Sequence, residues 1–207
     1  MTEKKIPDII IGRLPLYLRA LDRMATEGVV VTSSKELGDW VGISAAQIRK
    51  DISQFGEFGK QGTGYNIEYL SKQLREILKV DRVWDVAIIG AGDIGKGLAR
   101  YQGFLDRGFH VTLAFDNDTE KIGNKVGGVL VQDIRKMVEA INKANIKISM
   151  IAVPAENAQE VADELAKTGV RAILNYAPIC ITVPENVRVQ YIDPATHLQW
   201  MTYYCEA

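Results

Sequence analysis

Apolar residues recur at two different periods along this chain, and the change of period falls near Val80. Before it, Leu14, Leu18, Leu21 and Ala25 stand at helical spacing and predict an amphipathic helix over 13–27. "VVVTSS" follows, and Ser33 or Ser34 is placed to cap a short helix, "KELGDWVG", by accepting a bond from an unpaired backbone N–H. Gly42 turns the chain, and Ser44 caps a second helix, "AAQIRKDISQF". There Ile48, Ile52 and Phe55 form one stripe, while Gln47, Arg49, Lys50, Ser53 and Gln54 hold the other face. "GEFGKQGTGYNI", with glycines at 56, 59, 62 and 64, reads as a hairpin, and a helix near 67–79 closes the unit. Beyond the junction at 79–83 the pattern turns to short apolar runs: "VWDVAIIG", "FHVTLAFD", "GGVLV", "ISMIAVP", "RAILNY" and "VRVQYI". Helical stretches such as "AENAQEVADELAKTG" separate them. Strand alternating with helix predicts an α/β fold with a doubly wound, Rossmann-type parallel sheet.

Composition changes this picture little. The chain has 207 residues, 47% apolar, with a net charge of -1, so one large domain or two small ones fit. Residues 1–80 carry 12 Lys/Arg against 10 Asp/Glu, and residues 81–207 carry 13 against 16. Any basic footprint is therefore local. Cys180 and Cys205 have no neighbours at metal-ligand spacing and form no disulfide framework; they read as reduced thiols, and no metal site is expected. No apolar run approaches the ~18 residues of a membrane span. The start, "MTEKKIPDIIIGRL", is broken by Pro7 and Asp8 and does not read as a secretory signal, so a cytoplasmic protein is expected.

The glycines carry the first chemistry. Gly90-Ala91-Gly92-Asp93-Ile94-Gly95 follows a predicted strand and opens a predicted helix, which is the context a dinucleotide fingerprint requires. Gly90 permits the tight turn, Gly92 lets backbone approach a pyrophosphate, and Gly95 lets the helix pack on the strand. Asp116 ends the next strand 21 residues after Gly95, where a carboxylate holds the ribose hydroxyls of the adenosine half. Asn117-Asp118 offers no adjacent cation to rescue a 2′-phosphate, so NAD(H) is expected over NADP(H). Hydride transfer also needs a proton donor or base. His110 begins a strand, His197 sits on a helix surface, no Tyr-x-x-x-Lys pair occurs, and no substrate domain is evident. These features point away from an enzyme, although an NAD-dependent dehydrogenase with an accessory helical domain stays open on the residues alone.

The first third of the chain reads as a winged helix-turn-helix. Gln47, Arg49 and Lys50 stand on the exposed face of a helix slim enough for the major groove, where such residues reach phosphates and base edges. Lys60 and Gln61, beside Gly62, form a wing tip able to approach the minor groove.

"SSKELGDWVGISAAQIRKDISQFGEFGKQGTGYNIEYL" closely resembles the DNA-binding domain of the Rex family of bacterial redox-sensing transcriptional repressors. "RLPLYLR", "IIGAGDIGKGLARYQGF", "FDNDTEKIG", "AVPAENAQ", "GVRAILNYAPI" and "YIDPATHLQ" resemble further blocks of that family in order. The resemblance implies a winged-helix DNA-binding domain over 1–80, a Rossmann NAD(H)-binding domain over 81–192, and a helix over 193–207 exchanged between the subunits of a homodimer. It implies an inverted-repeat operator on double-stranded DNA, released when NADH binds. Arg49 and Lys50 fall on the family's basic pair, Lys60 at its wing, and Arg13 and Arg19 on its first helix, with Arg13, Ser44 and Gly62 grouped with the DNA contacts. Tyr101, Lys121, Val153 and Pro154 are grouped with the cofactor. Arg19 stands where the family has an arginine able to pair with an aspartate, here Asp193, and Tyr101 where a tyrosine near the nicotinamide reaches the same acid. Pro194 departs from relatives that place an aromatic after that aspartate. Leu198, Trp200 and Met201 are the expected interface residues. Asn175, Ala177 and Pro178, with the exchanged helix, are expected to form a closed apolar pocket. Such a pocket favours the neutral reduced nicotinamide over the cationic oxidised one.

Overall fold

The structure, a computed structural model, describes residues 6–60 and 62–205, with the side chain of Lys60 left out. The chain divides between Arg82 and Val83 into two compact units.

The first unit opens with α1 (Asp8–Thr26), which begins earlier than its periodicity predicts. Pro15 lies inside it and lacks the N–H for one intrahelical bond. Burial of Ile10, Leu14, Tyr17, Leu18 and Leu21 on a single face carries the helix through that defect. Ser33, not Ser34, caps α2 (Ser34–Val41) in a reciprocal box: Glu36 N–H donates to Ser33 Oγ at 3.1 Å, and Ser33 N–H donates to Glu36 Oε2 at 2.6 Å. The turn to the next helix closes tightly, since a Cβ on Gly38 would lie 2.4 Å from the carbonyl oxygen of Ile43. Ser44 caps α3 (Ala45–Ile52), which ends three residues before the predicted Phe55. There Ser53 Oγ donates back to the carbonyl of Lys50 at 2.9 Å. Three short strands, β1 (Val31–Thr32), β2 (Gly59–Lys60) and β3 (Gly64–Asn66), pair antiparallel in the order β1-β3-β2 and form the wing. β1 is an addition to the hairpin that the glycines predict. Asn66 caps α4 (Ile67–Leu78), whose buried Leu70 and Leu74 join the α1 core.

The second unit contains β4 (Trp84–Ile89), α5 (Asp93–Arg100), β5 (Phe109–Asp116), β6 (Lys125–Val126), β7 (Val129–Asp133), α6 (Met137–Lys143), β8 (Ile148–Ile151), α7 (Ala155–Ala166), β9 (Ala172–Asn175), β10 (Arg188–Tyr191) and α8 (Pro194–Thr202). Its sheet runs β10-β9-β8-β4-β5-β7-β6 and is parallel except for the β6–β7 hairpin. Leaving β6 aside, this is the doubly wound order whose switch point lies between β4 and β8. The turn at Gly127-Gly128, both at positive φ, converts the start of the predicted "GGVLV" strand into a hairpin bend. Buried apolar side chains cover both faces of the sheet, with Ile89, Phe115, Ile151 and Ile173 on one and Val86, Ile88, Val111 and Met150 on the other. Among the described residues, no helix is long and apolar enough to cross a membrane.

Candidate functional site

The glycine turn sits at the switch point. Gly90 adopts φ +98°, and a Cβ there would lie 2.4 Å from the carbonyl oxygen of Ala152, which leaves β8. A Cβ on Gly95 would lie 1.8 Å from the oxygen of Gly90, so the start of α5 presses directly on the turn. Nothing lies within 4 Å of a Cβ built on Gly92. Gly92 also brings no side-chain cap to α5, so the first-turn amides, including those of Asp93 and Ile94, point from the positive end of the helix toward whatever anion lies there. This open, amide-lined cradle fits a pyrophosphate. The side chains of Asp93 and Ile94 are exposed, so the groups they offer the cradle are backbone N–H.

A cleft of about 690 Å³ opens beside the turn, lined in part by Gly90, Gly92, Asp116, Lys121, Val153 and Pro154. The buried Asp116 carboxylate accepts from the amide of Ala91 at 2.7 Å and from that of Asp118 at 2.9 Å. It therefore fastens the end of β5 to the glycine turn as well as facing the cleft. One expectation needs correction: a cation does stand beside this acid. Lys121 Nζ lies 3.4 Å from Asp116 and 3.3 Å from Asp118. The next two residues, Asn117 and Asp118, carry no positive charge, but the turn after β5 folds Lys121 back to the acid. Shared between two carboxylates, this ammonium is outnumbered by them, and Arg135 on the same cleft is paired with Asp133, so no surplus positive charge is left for a 2′-phosphate.

The same cleft is lined by residues that the sequence reading missed: Asn117, Arg135, Asn157, Glu160, Val161 and Glu164. The last four are spaced 0, 3, 4 and 7 along α7, a single helical face that periodicity could have marked.

Other expected cofactor residues lie outside the cleft. Asn175 is fully buried, and its amide braces the loop after β9. Its Nδ2 donates to the carbonyls of Ala177 (3.2 Å) and Ile179 (2.9 Å), and its Oδ1 accepts from Ala177 N–H (3.0 Å). Asn175 thus shapes a wall without lining it, and Ala177 turns into the core. Pro178 and Ile179 are the exposed apolar surface of that loop. Tyr101 ends α5, half exposed, with its ring edge-on to Phe104 at 4.9 Å. Asp193 caps α8, accepting from Ala195 N–H and Thr196 Oγ1, each at 3.0 Å. Its carboxylate is thus held by its own helix. Arg19 itself is exposed on α1. His110 begins β5, about 20 Å along the strand from the cradle end, and faces Asp85 at 3.6 Å.

In the first unit, Arg49 and Lys50 are exposed on α3. Arg49 also lines a groove of about 870 Å³ between the start of α2 and the wing, together with Ser34, Lys35, Gly62 and Thr63. Ser44 is exposed and caps α3 through its Oγ, which accepts from Gln47 N–H at 3.3 Å. Two expected DNA contacts prove to be engaged inside the unit. Arg13 holds the buried Asp51 with two N–H groups, at 2.6 and 2.8 Å, and Gln47 Nε2 donates to the same acid at 2.7 Å. Gln61 lies outside the described residues, as does the side chain of Lys60.

A family model described as a CoA binding domain matches residues 81–179, and one described as a putative DNA-binding protein N-terminus matches residues 5–53. The redox-sensing transcriptional repressor Rex of Chloroflexus aurantiacus is 50% identical over 198 residues, which cover 96% of this chain and 93% of that protein. The chain belongs to the Rex family. Among solved structures, RSP, a Rex-family repressor, in complex with beta-NAD+ and operator DNA is similar with a TM-score of 0.92 and 35% identity over 98% of this chain and 94% of that one. RSP in complex with beta-NADH gives a TM-score of 0.88 at 33% identity over 98% and 95% of the two chains. Relatives named as repressors over nearly the full length decide against the dehydrogenase left open by the residues alone. Rex membership also accounts for a dinucleotide cradle and a winged reading helix in one short chain.

Proposed function

We propose that this chain is a transcriptional repressor that senses the NADH/NAD+ ratio. Its winged unit grips operator DNA, and NADH held in its Rossmann unit loosens that grip. The observation that carries the reading is the coexistence of an amide-lined glycine cradle with an exposed Arg49-Lys50 pair on a helix-turn-helix, in a chain related along its length to a protein solved with both ligands.

Gly90, Gly92 and the first-turn amides of α5 bind the pyrophosphate, while Asp116, steadied by Ala91, Asp118 and Lys121, holds the adenosine ribose. The bound dinucleotide supplies the signal, because its nicotinamide is cationic when oxidised and neutral when reduced. Taking a cation out of water into an apolar enclosure is costly, so exposed Pro178 and Ile179 on a loop braced by Asn175 favour the neutral ring. Closure comes from a second copy of this chain. α8 buries no residue in its own chain, and Leu198, Trp200 and Met201 are 63%, 65% and 54% exposed. A homodimer that exchanges this helix covers them and presents two reading helices to an inverted repeat. Asp193, Tyr101 and Arg19 switch partners only in that assembly.

The test is a titration of labelled duplex carrying the operator used in the RSP complex, at one stated salt concentration, with NAD+ and then NADH. NADH is expected to weaken the complex about 5- to 150-fold, the usual span of a coupling between sites, and NAD+ much less. By linkage the duplex weakens NADH binding by the same factor. Equal weakening by both forms at matched occupancy overturns the reading.

A further inference from the structure

The reading helix is joined to α1 through one buried carboxylate. Asp51 lies in α3 and is fully buried, next in sequence to the exposed Lys50. Its Oδ2 accepts from Arg13 Nε and from Tyr17 Oη, each at 2.6 Å, and its Oδ1 accepts from Arg13 Nη2 at 2.8 Å and from Gln47 Nε2 at 2.7 Å. Arg13 and Tyr17 stand one helical turn apart on α1, and Gln47 one turn before Asp51 on α3. Burial works against the Asp51 charge, but the bonds from Arg13, Tyr17 and Gln47 outweigh it and hold the carboxyl below the usual carboxylate range. Burial, together with the bond to Asp51, pushes the Tyr17 hydroxyl up, so it stays a donor.

Stability alone is a poor account of such a cluster. Removing a carboxylate and a guanidinium from water is costly, and well-packed apolar side chains often serve a core as well. What four directed bonds add is orientation. The apolar contacts of Ile48 and Ile52 hold α3 against the core, but they are non-directional and set its rotation weakly. Lys50 and Arg49 lie one and two residues before Asp51, about 100° and 200° around the helix, so the bonds that pull Asp51 inward set the direction in which Lys50 leaves the helix and turn Arg49 outward. The same bonds turn the amide nitrogen of Gln47 inward.

We propose that Asp51 is a positioning residue for DNA reading: with Arg13, Tyr17 and Gln47 it sets the rotation of α3 against α1 and so fixes which side chains meet the base edges. Arg13 and Gln47 then act through Asp51. Attraction to phosphates depends on the exposed cations and not on this rotation, so operator preference is the property that Asp51 governs. The inference rests on the DNA-reading function proposed above.

The experiment uses the full chain with Asp51→Asn, which keeps shape and removes charge. Affinity is measured for the RSP operator duplex and for a scrambled duplex of equal length, over a salt series, alongside NADH binding. Operator affinity is expected to fall about ten- to a hundredfold, the scale of a lost base contact. The scrambled duplex, the salt slope and NADH binding stay as in the parent. Equal loss on both duplexes, as a merely structural role gives, or undiminished operator affinity, overturns the proposal. Tyr17→Phe removes one donor and leaves the Arg13 pair, and it is expected to lower operator affinity alone about three- to tenfold, less than the loss of the whole charge. Undiminished operator affinity in that variant also overturns the proposal, even where Asp51→Asn fails to fold. A parent chain that does not prefer the operator over the scrambled duplex refutes the function reading instead.

Discussion

Gly92→Ala will remove most of the NADH response while leaving the fold nearly untouched. The three glycines of the turn differ in what a methyl group meets. At Gly90 it adds the strain of φ +98° to a 2.4 Å approach to the Ala152 oxygen, and at Gly95 it meets the Gly90 oxygen at 1.8 Å. Both changes break the packing of α5 on the switch point and confound cofactor loss with unfolding. Gly92 has an ordinary φ of -73° and open space around the added carbon. The protein cost is that of alanine as a poorer helix cap than glycine, about 1 kcal/mol or less. In the proposed cradle, the space that the methyl group takes is where the pyrophosphate comes closest to backbone. Overpacking of about 1–3 kcal/mol falls on the ligand alone, which lowers NADH affinity about ten- to a hundredfold. The unfolding midpoint, NADH binding and the NADH concentration that halves operator binding are the three readings. Parental NADH affinity in a stable Gly92→Ala chain places the pyrophosphate elsewhere.

That contrast also shows which parts of the molecule were open to reading in one dimension. The strand over Phe109–Asp116 and the caps at Ser33 and Ser44 follow from residues within a few positions of each other, where local sterics and capping decide the structure. The start of α1 was hidden because Pro15 argues locally against a helix that tertiary burial sustains. Two-residue strands such as β1 and β6 have no period to detect. The site divides in the same way. Gly90, Gly92 and Asp116 belong to a fingerprint with fixed spacing, whereas Lys121 reaches Asp116 only because a turn folds back, and Arg13 meets Asp51 across 38 positions. An arginine on a helix face reads as a surface cation until its partner is known. Arg13 and Gln47, expected among the DNA contacts, thus have a second tie to Asp51 that no local pattern shows. Asn175 shows the converse: a polar residue at a strand end reads as a ligand contact, yet its amide holds its own loop.

Arg49→Ala and Lys50→Ala, made separately, will divide phosphate anchoring from base reading. Adjacent residues on a helix point about 100° apart, so the two cations meet different parts of a duplex. Arg49 lines the groove between the wing and the start of α2, alongside Ser34, Lys35 and Thr63. A groove bounded by a helix N-terminus and a second cation suits a backbone phosphate. Arg49→Ala is accordingly expected to weaken operator and scrambled duplexes in the same proportion and to lower the slope of log affinity against log salt by about one. Lys50, exposed on the outer face of α3, is assigned to a base edge, where it donates to the acceptors of a guanine. Its removal is expected to cost the operator about 1–3 kcal/mol, which is roughly ten- to a hundredfold, and to cost the scrambled duplex far less. NADH binding stays unchanged in both variants, because the cradle lies in the other unit. Identical losses on both duplexes for the two variants mean that α3 does not present these cations to different parts of the DNA, and the division of roles between them fails.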